Sequence, residues 1–133
     1  MIFIDTGAFL ARYLAADQHH AGAVRLWRKL EKSQRRPVTS NFVLDETFTL
    51  LARRASYGFA AERAKAILAS RSLSVLRPGP EDELQALGFF TKFADQKVSF
   101  TDCCSFVLMK RTSVRIAFSY DRHFELAGFD SWK

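Results

Sequence analysis

Cysteine and histidine are scarce in this chain, with two Cys and three His among 133 residues. Cys103 and Cys104 are adjacent, a spacing that suits neither a long-range disulfide nor a zinc site. They read as small buried residues of a reduced, cytoplasmic protein. His19 and His20 are also neighbours. On a helix their side chains would diverge by about 100°, whereas a metal-binding pair needs a spacing of three or four. Their better use is at a helix start. No apolar run approaches the roughly 18 residues of a membrane span. Asp5 stands where a secretory leader would carry basic and then apolar residues, so neither membrane insertion nor secretion is expected. No repeat, low-complexity tract or linker interrupts the sequence, which reads as a single domain over 1–133.

Positive charge is abundant. Twenty Lys and Arg against fourteen Asp and Glu leave a net charge of +6, which points to a polyanionic partner, either nucleic acid or an acidic protein segment. The 48% hydrophobic content is that of an ordinary globular protein.

The order of elements alternates between strand and helix. Ile2-Phe3-Ile4 is a short apolar run of the kind buried on both faces of a sheet. It ends in Asp5, after which Thr6 and Gly7 lead into a helix over 8–14. A second helix covers 21–32, with Val24, Trp27 and Leu30 as its buried stripe. Arg36 to Ser40 is a second strand, started by Pro37. Asn41 is the expected cap of a long helix over 42–56. Tyr57-Gly58 breaks the chain before a further helix over 60–69, so that the two helices form a projecting hairpin carrying Arg53 and Arg54. Leu73 to Leu76 is a third strand. Pro78-Gly79-Pro80 is a turn, and Glu81, Asp82 and Glu83 follow at a helix N-terminus. Leu84 and Leu87, with Phe90 and Phe93, make that helix's apolar face. Ser99-x-x-Asp102 matches a capping box at the start of the next helix, which Lys110-Arg111 closes. Val114 to Tyr120 is a fourth strand, again ending in an acid, Asp121. His123 falls in the turn that follows, where a surface position is expected. Residues 128–133 could add an edge strand.

This alternation predicts an α/β fold with a parallel sheet. Right-handed crossovers place every strand's carboxyl end on one edge, where such sheets bind ligands. Asp5 and Asp121 end two of those strands. Glu46 lies in the second turn of the helix after the second strand, with helical neighbours that turn it towards the core, where a lone carboxylate is costly. Asp102 begins the helix that runs back to the fourth strand. Each acid has a local explanation as a cap or a solvated residue, but the topology carries all four towards one crevice. Carboxylates this close repel unless a cation lies between them. An all-oxygen site suits magnesium or manganese, and acids inside a basic surface make the electrostatic pattern of a nuclease.

The motifs Ile4-Asp5-Thr6, Thr39-Ser40-Asn41 with Glu46, Ser99-Phe100-Thr101-Asp102 and Phe118-Ser119-Tyr120-Asp121-Arg122-His123-Phe124 together resemble the PIN domain. More narrowly they resemble the VapC toxins of type II toxin–antitoxin pairs. The resemblance implies a three-layer α/β/α domain with a central parallel sheet of four to five strands. It also implies a magnesium-dependent endoribonuclease acting on transfer or ribosomal RNA, with manganese as a possible substitute. By position, Asp5, Glu46, Asp102 and Asp121 would be the catalytic and metal-binding acids, with Thr6 and Ser119 supporting them by hydrogen bonds. A cognate antitoxin and a homodimer are implied as partners. Arg12, Arg53 and Arg54 are candidates for the RNA path. Three other readings stay open on the sequence: a receiver-like signalling domain, a basic binding module without catalysis, and a PIN nuclease of RNA maturation.

Overall fold

Ile2, Phe3 and Ile4 are wholly buried, because the strand they form lies in the middle of the sheet. The computed structural model describes residues 1–133. Its strands are β1 (Ile2–Ile4), β2 (Pro37–Ser40), β3 (Ser74–Leu76), β4 (Ile116–Phe118) and β5 (Asp130–Ser131). All pairings are parallel and the order is β3-β2-β1-β4-β5. Ile2 lies beside both Pro37 and Ile116, and Ile4 lies beside Phe118. Pro37 is tolerated because it opens its strand. The Thr39 hydroxyl donates to the Ile4 carbonyl at 2.7 Å, which ties β2 to the carboxyl end of β1.

The connections leave β1 and β4 in opposite directions. From β1 the chain passes through α1 (Thr6–Tyr13) and α2 (His20–Lys32) to β2, and then through α3 (Asn41–Arg54) and α4 (Tyr57–Ala69) to β3. It returns across the sheet through α5 (Pro80–Lys92), a single 3₁₀ turn (Ala94–Gln96) and α6 (Phe100–Arg111) to β4, and ends with α7 (His123–Leu126) and β5. Right-handed crossovers therefore put the first four helices on one face and the returning helices on the other. The divergence at β1 and β4 opens a crevice at their carboxyl ends. No helix is long and apolar enough to cross a membrane.

Packing explains several departures from the sequence pattern. α6 is buried without a break from Asp102 to Met109, so it shows no amphipathic period: it is the returning layer's inner helix, between the sheet and α5. Phe106 sits at its centre, edge-on to Phe89, Phe93 and Phe124. α5 is rotated from expectation, and of its expected apolar face only Phe93 is buried. Asp82, Ala86 and Phe93 face inward while Leu84, Leu87 and Phe90 are exposed. Asp82 caps the helix by accepting from the Gly79 amide at 2.9 Å and pairs with Arg111 at 3.1 Å, and those contacts fix the helix's rotation.

Three helix starts also shift. α1 begins at Thr6 rather than Ala8. Ser40, not Asn41, caps α3, its hydroxyl accepting from the Val43 amide at 3.1 Å. Ser56 caps α4 through the Phe59 amide at 3.1 Å, so Tyr57 and Gly58 form its first turn instead of breaking the chain. The hairpin of α3 and α4 is anchored to α1 where Leu10, Leu51 and Ala60 pack together.

Candidate active site

The crevice at the β1–β4 divergence is a cleft of about 620 Å³ lined by Asp5, Thr6, Gly7, Glu46, Lys97, Ser99, Asp102, Tyr120, Asp121, Arg122 and His123. Asp5 is the first residue past β1. It precedes α1, but its side chain makes no capping bond to that helix. The Ser119 hydroxyl, just past β4, donates to Asp5 Oδ2 at 2.8 Å. Ser119 Oγ in turn accepts from the Asp121 amide at 3.0 Å, and Asp121 Oδ1 accepts from the His123 amide at 2.9 Å. A bond chain thus joins the carboxyl ends of two adjacent strands. Asp102 enters from the start of α6, where the Ser99 hydroxyl accepts its amide at 3.0 Å. Its side chain takes no part in the cap and lines the cleft.

Asp5 and Asp102 are 6% and 7% exposed. Burial, the largest cause, pushes the Asp5 carboxyl up to about 6. Asp121 and Glu46 add to the rise, against the opposing bonds from Ser119 and the Thr6 amide. Asp102 is pushed up to about 9, first by burial, then by the charges of Asp5 and Asp121, by a hydrogen bond to Asp121 that favours the protonated acid, and by Glu46. These carboxylates cannot all be ionised together without a positive charge among them.

Glu46 departs from expectation. It is exposed, because the buried stripe of α3 is Val43, Leu44, Thr47 and Leu51. It stands at the cleft mouth, off the core. Thr6 also differs: its hydroxyl is buried but makes no hydrogen bond, so Thr6 acts on Asp5 through its amide alone, whereas the Ser119 side chain bonds Asp5 directly. Asp121 lies past a strand shorter than expected, β4 ending at Phe118, and it reaches the cleft through the turn that Ser119 closes.

The arginines proposed for the RNA path lie outside the cleft lining. Arg12, at the far end of α1, bonds Glu31 at 2.9 Å and covers the Trp27 ring at 4.4 Å. It borders a separate cavity of about 590 Å³ at the opposite sheet edge, together with Arg35 and Arg36. Arg53 and Arg54 are exposed in the last turn of α3. The cations that do line the cleft are Lys97 and Arg122, which the sequence pattern did not single out. Lys97 has φ +56°, a left-handed conformation costly for a residue with a Cβ. His123, expected at the surface, is only 16% exposed, with Nδ1 at 2.9 Å from Asp121 Oδ1 and 3.5 Å from Asp102 Oδ2. An Asp followed two residues later by His in a turn was the available signal, and it is a weak one.

A divalent cation fits this donor set. Ligand atoms of Asp102, Asp121 and His123 all lie within 4.8 Å of one another, next to a buried Asp5 and an unpartnered Thr6 hydroxyl.

Comparison with known proteins identifies the family. The PIN domain profile matches residues 2–130. The chain belongs to the PIN-domain family. Within it, the chain is of the VapC type. It is 37% identical over 131 residues to the 23S rRNA-specific endonuclease VapC20 of Mycobacterium tuberculosis, covering 97% of this chain and 95% of that one. A VapC ribonuclease of Archaeoglobus fulgidus is 31% identical, over 98% of this chain and 84% of its own length. The crystal structure of M. tuberculosis VapC20, described as a sarcin–ricin-loop cleaving toxin, superposes with a TM-score of 0.89 at 34% identity, over 97% of this chain and 96% of that one. This PIN domain therefore carries the nuclease fold of those relatives over nearly its whole length. Its five-stranded parallel sheet is at the upper end of the expected four to five.

Proposed function

We propose that this nuclease is a divalent-cation-dependent endoribonuclease that cuts ribosomal RNA in an exposed loop, acting as the toxin of a toxin–antitoxin pair. The observation that carries the reading is the meeting of Asp5, Asp102 and Asp121 in one cleft, with Ser119 bonded to Asp5 and to the Asp121 amide. Asp5, Asp102 and Asp121 would hold the ion, Mg²⁺ or Mn²⁺, with Glu46 reaching in from the mouth. A cation bound there lowers the pKa of a water and stabilises charge on the phosphate. The side chains do the rest. Ser119 keeps Asp5 oriented and favours its charged form. The Ser99 cap holds the start of α6, and so Asp102, in place. Lys97 and Arg122 supply positive charge at the cleft for the RNA backbone. The products would be a 5′-phosphate and a 3′-hydroxyl, with no covalent enzyme intermediate.

Ribosomal RNA is favoured over transfer RNA by the likeness to VapC20, whose name specifies 23S rRNA. The VapC likeness also carries a cognate antitoxin and a homodimer as partners. The test is incubation of purified ribosomes with wild type and Asp5→Ala, with Mg²⁺ or with EDTA, followed by mapping of new RNA ends. A discrete cut in 23S rRNA is expected only with wild type and metal. Cleavage by Asp5→Ala at the wild-type rate would defeat the assignment.

A further inference from the structure

The ring of His123 is the part of the cleft to which the carboxylate scheme gives no task. Its Nδ1 is shielded from solvent and makes no aligned hydrogen bond, although Asp121 Oδ1 and Asp102 Oδ2 stand at 2.9 and 3.5 Å. A buried polar atom without a partner is unfavourable. The ring is also held in place. The His123 amide donates to Asp121 Oδ1 at 2.9 Å, and the next residue, Phe124, is 2% exposed and packs on Phe3 and Phe106 at ring separations of 6.2 and 5.1 Å. We infer that His123 Nδ1 is a direct ligand of the divalent cation beside Asp102 and Asp121, and that this nitrogen gives the site a preference for a first-row transition ion such as Mn²⁺ over Mg²⁺.

The spacing suits this role. Neighbouring ligands at right angles on bonds of about 2.1 Å stand about 3 Å apart, close to the separations found. With its proton on Nε2, the ring presents the Nδ1 lone pair to the two carboxylates, an arrangement a shared cation satisfies. Mg²⁺ prefers oxygen ligands and keeps its waters, whereas transition ions accept imidazole. The inference rests on the reading of the cleft as a divalent-ion site, and the experiment separates the two.

Metal-free protein is titrated with Mn²⁺, and the bound ion is examined by pulsed electron paramagnetic resonance for coupling to imidazole nitrogen. The expected result is a nitrogen coupling in wild type that changes when the protein is made with isotope-labelled histidine. It should persist in His19→Gln and in His20→Gln, and be lost in His123→Phe. Mn²⁺ affinity should fall at least about tenfold in His123→Phe, while Mg²⁺ affinity, read by competition, should fall far less. If His123→Phe does not fold, the labelled wild type together with His19→Gln and His20→Gln decides. Bound Mn²⁺ with no histidine coupling in wild type would overturn the His123 assignment and leave the ion site standing. No Mn²⁺ binding at all would overturn both.

Discussion

Replacing Asp102 by Asn should make the metal-free protein more stable in alkaline buffer. The Asp102 carboxyl is held up to about 9 and that of Asp5 to about 6, against an ordinary value of about 3.9 in the unfolded chain. Between those values the folded state binds more protons than the unfolded one, so stability falls as pH rises. It is fully present below about pH 4 and is lost progressively through about 6 for Asp5 and about 9 for Asp102. Between about pH 5.5 and 8.5, Asp102 spans three units at about 1.4 kcal/mol each, a ceiling of about 4 kcal/mol. Asp5 and Asp102 titrate as interacting groups, so about 2–4 kcal/mol is the expected loss in wild type. Asp102→Asn removes the dominant titration and should lose less than about 1 kcal/mol over the same range. For a chain of this size the difference corresponds to about 10 °C in Tm. Thermal melts in EDTA at both pH values read this directly. If wild type gains stability towards alkaline pH, or Asp102→Asn melts below wild type at about pH 8.5, the electrostatic account of the cleft is wrong.

Other consequences follow from named contacts. Ser119→Ala removes the acceptor of the Asp121 amide and the donor to Asp5, so divalent-ion affinity by calorimetry should fall about 10–100-fold. Lys97→Ala and Arg122→Ala should each weaken RNA binding and reduce its salt slope by about one, read by fluorescence anisotropy across a salt series. Arg12→Ala should leave RNA binding unchanged and cost about 1 kcal/mol of stability, because it loses the Glu31 bond and the Trp27 stack. In denaturant titrations Leu84→Ser should fall within about 0.5 kcal/mol of wild type, while Phe106→Ala should cost about 3–5 kcal/mol.

The sequence disclosed the sheet because its strands are short runs ended by polar turns, and the strand–helix alternation leaves few topologies open. Asp5, Asp102 and Asp121 were visible for the same reason: each sits at an element boundary that the topology sends to one edge. The pattern puts Glu46 on the right helix but the wrong face, since α3 carries apolar residues around more than half its circumference and hides which stripe is buried. The apolar pattern of α5 misleads about its rotation because Asp82 is buried through its cap and its pair with Arg111, leaving Leu84 and Leu87 outside. A residue class predicts burial only until a specific polar contact outweighs it. Lys97 and Arg122 lie in turns, and His123, for which a surface position is expected, opens the short helix α7; in such places direction depends on individual backbone angles such as the φ of +56° at Lys97. No periodicity reports such angles.

The claim beneath all of this is that carboxylates far apart in the chain gather to hold one or more divalent ions. Anomalous diffraction from crystals of the protein soaked in Mn²⁺ tests it most directly. The account predicts a peak in the cleft within bonding distance of the carboxylates of Asp5, Asp102 or Asp121. Saturating Mn²⁺ with no peak there, or with peaks only on the outer surface, would contradict it.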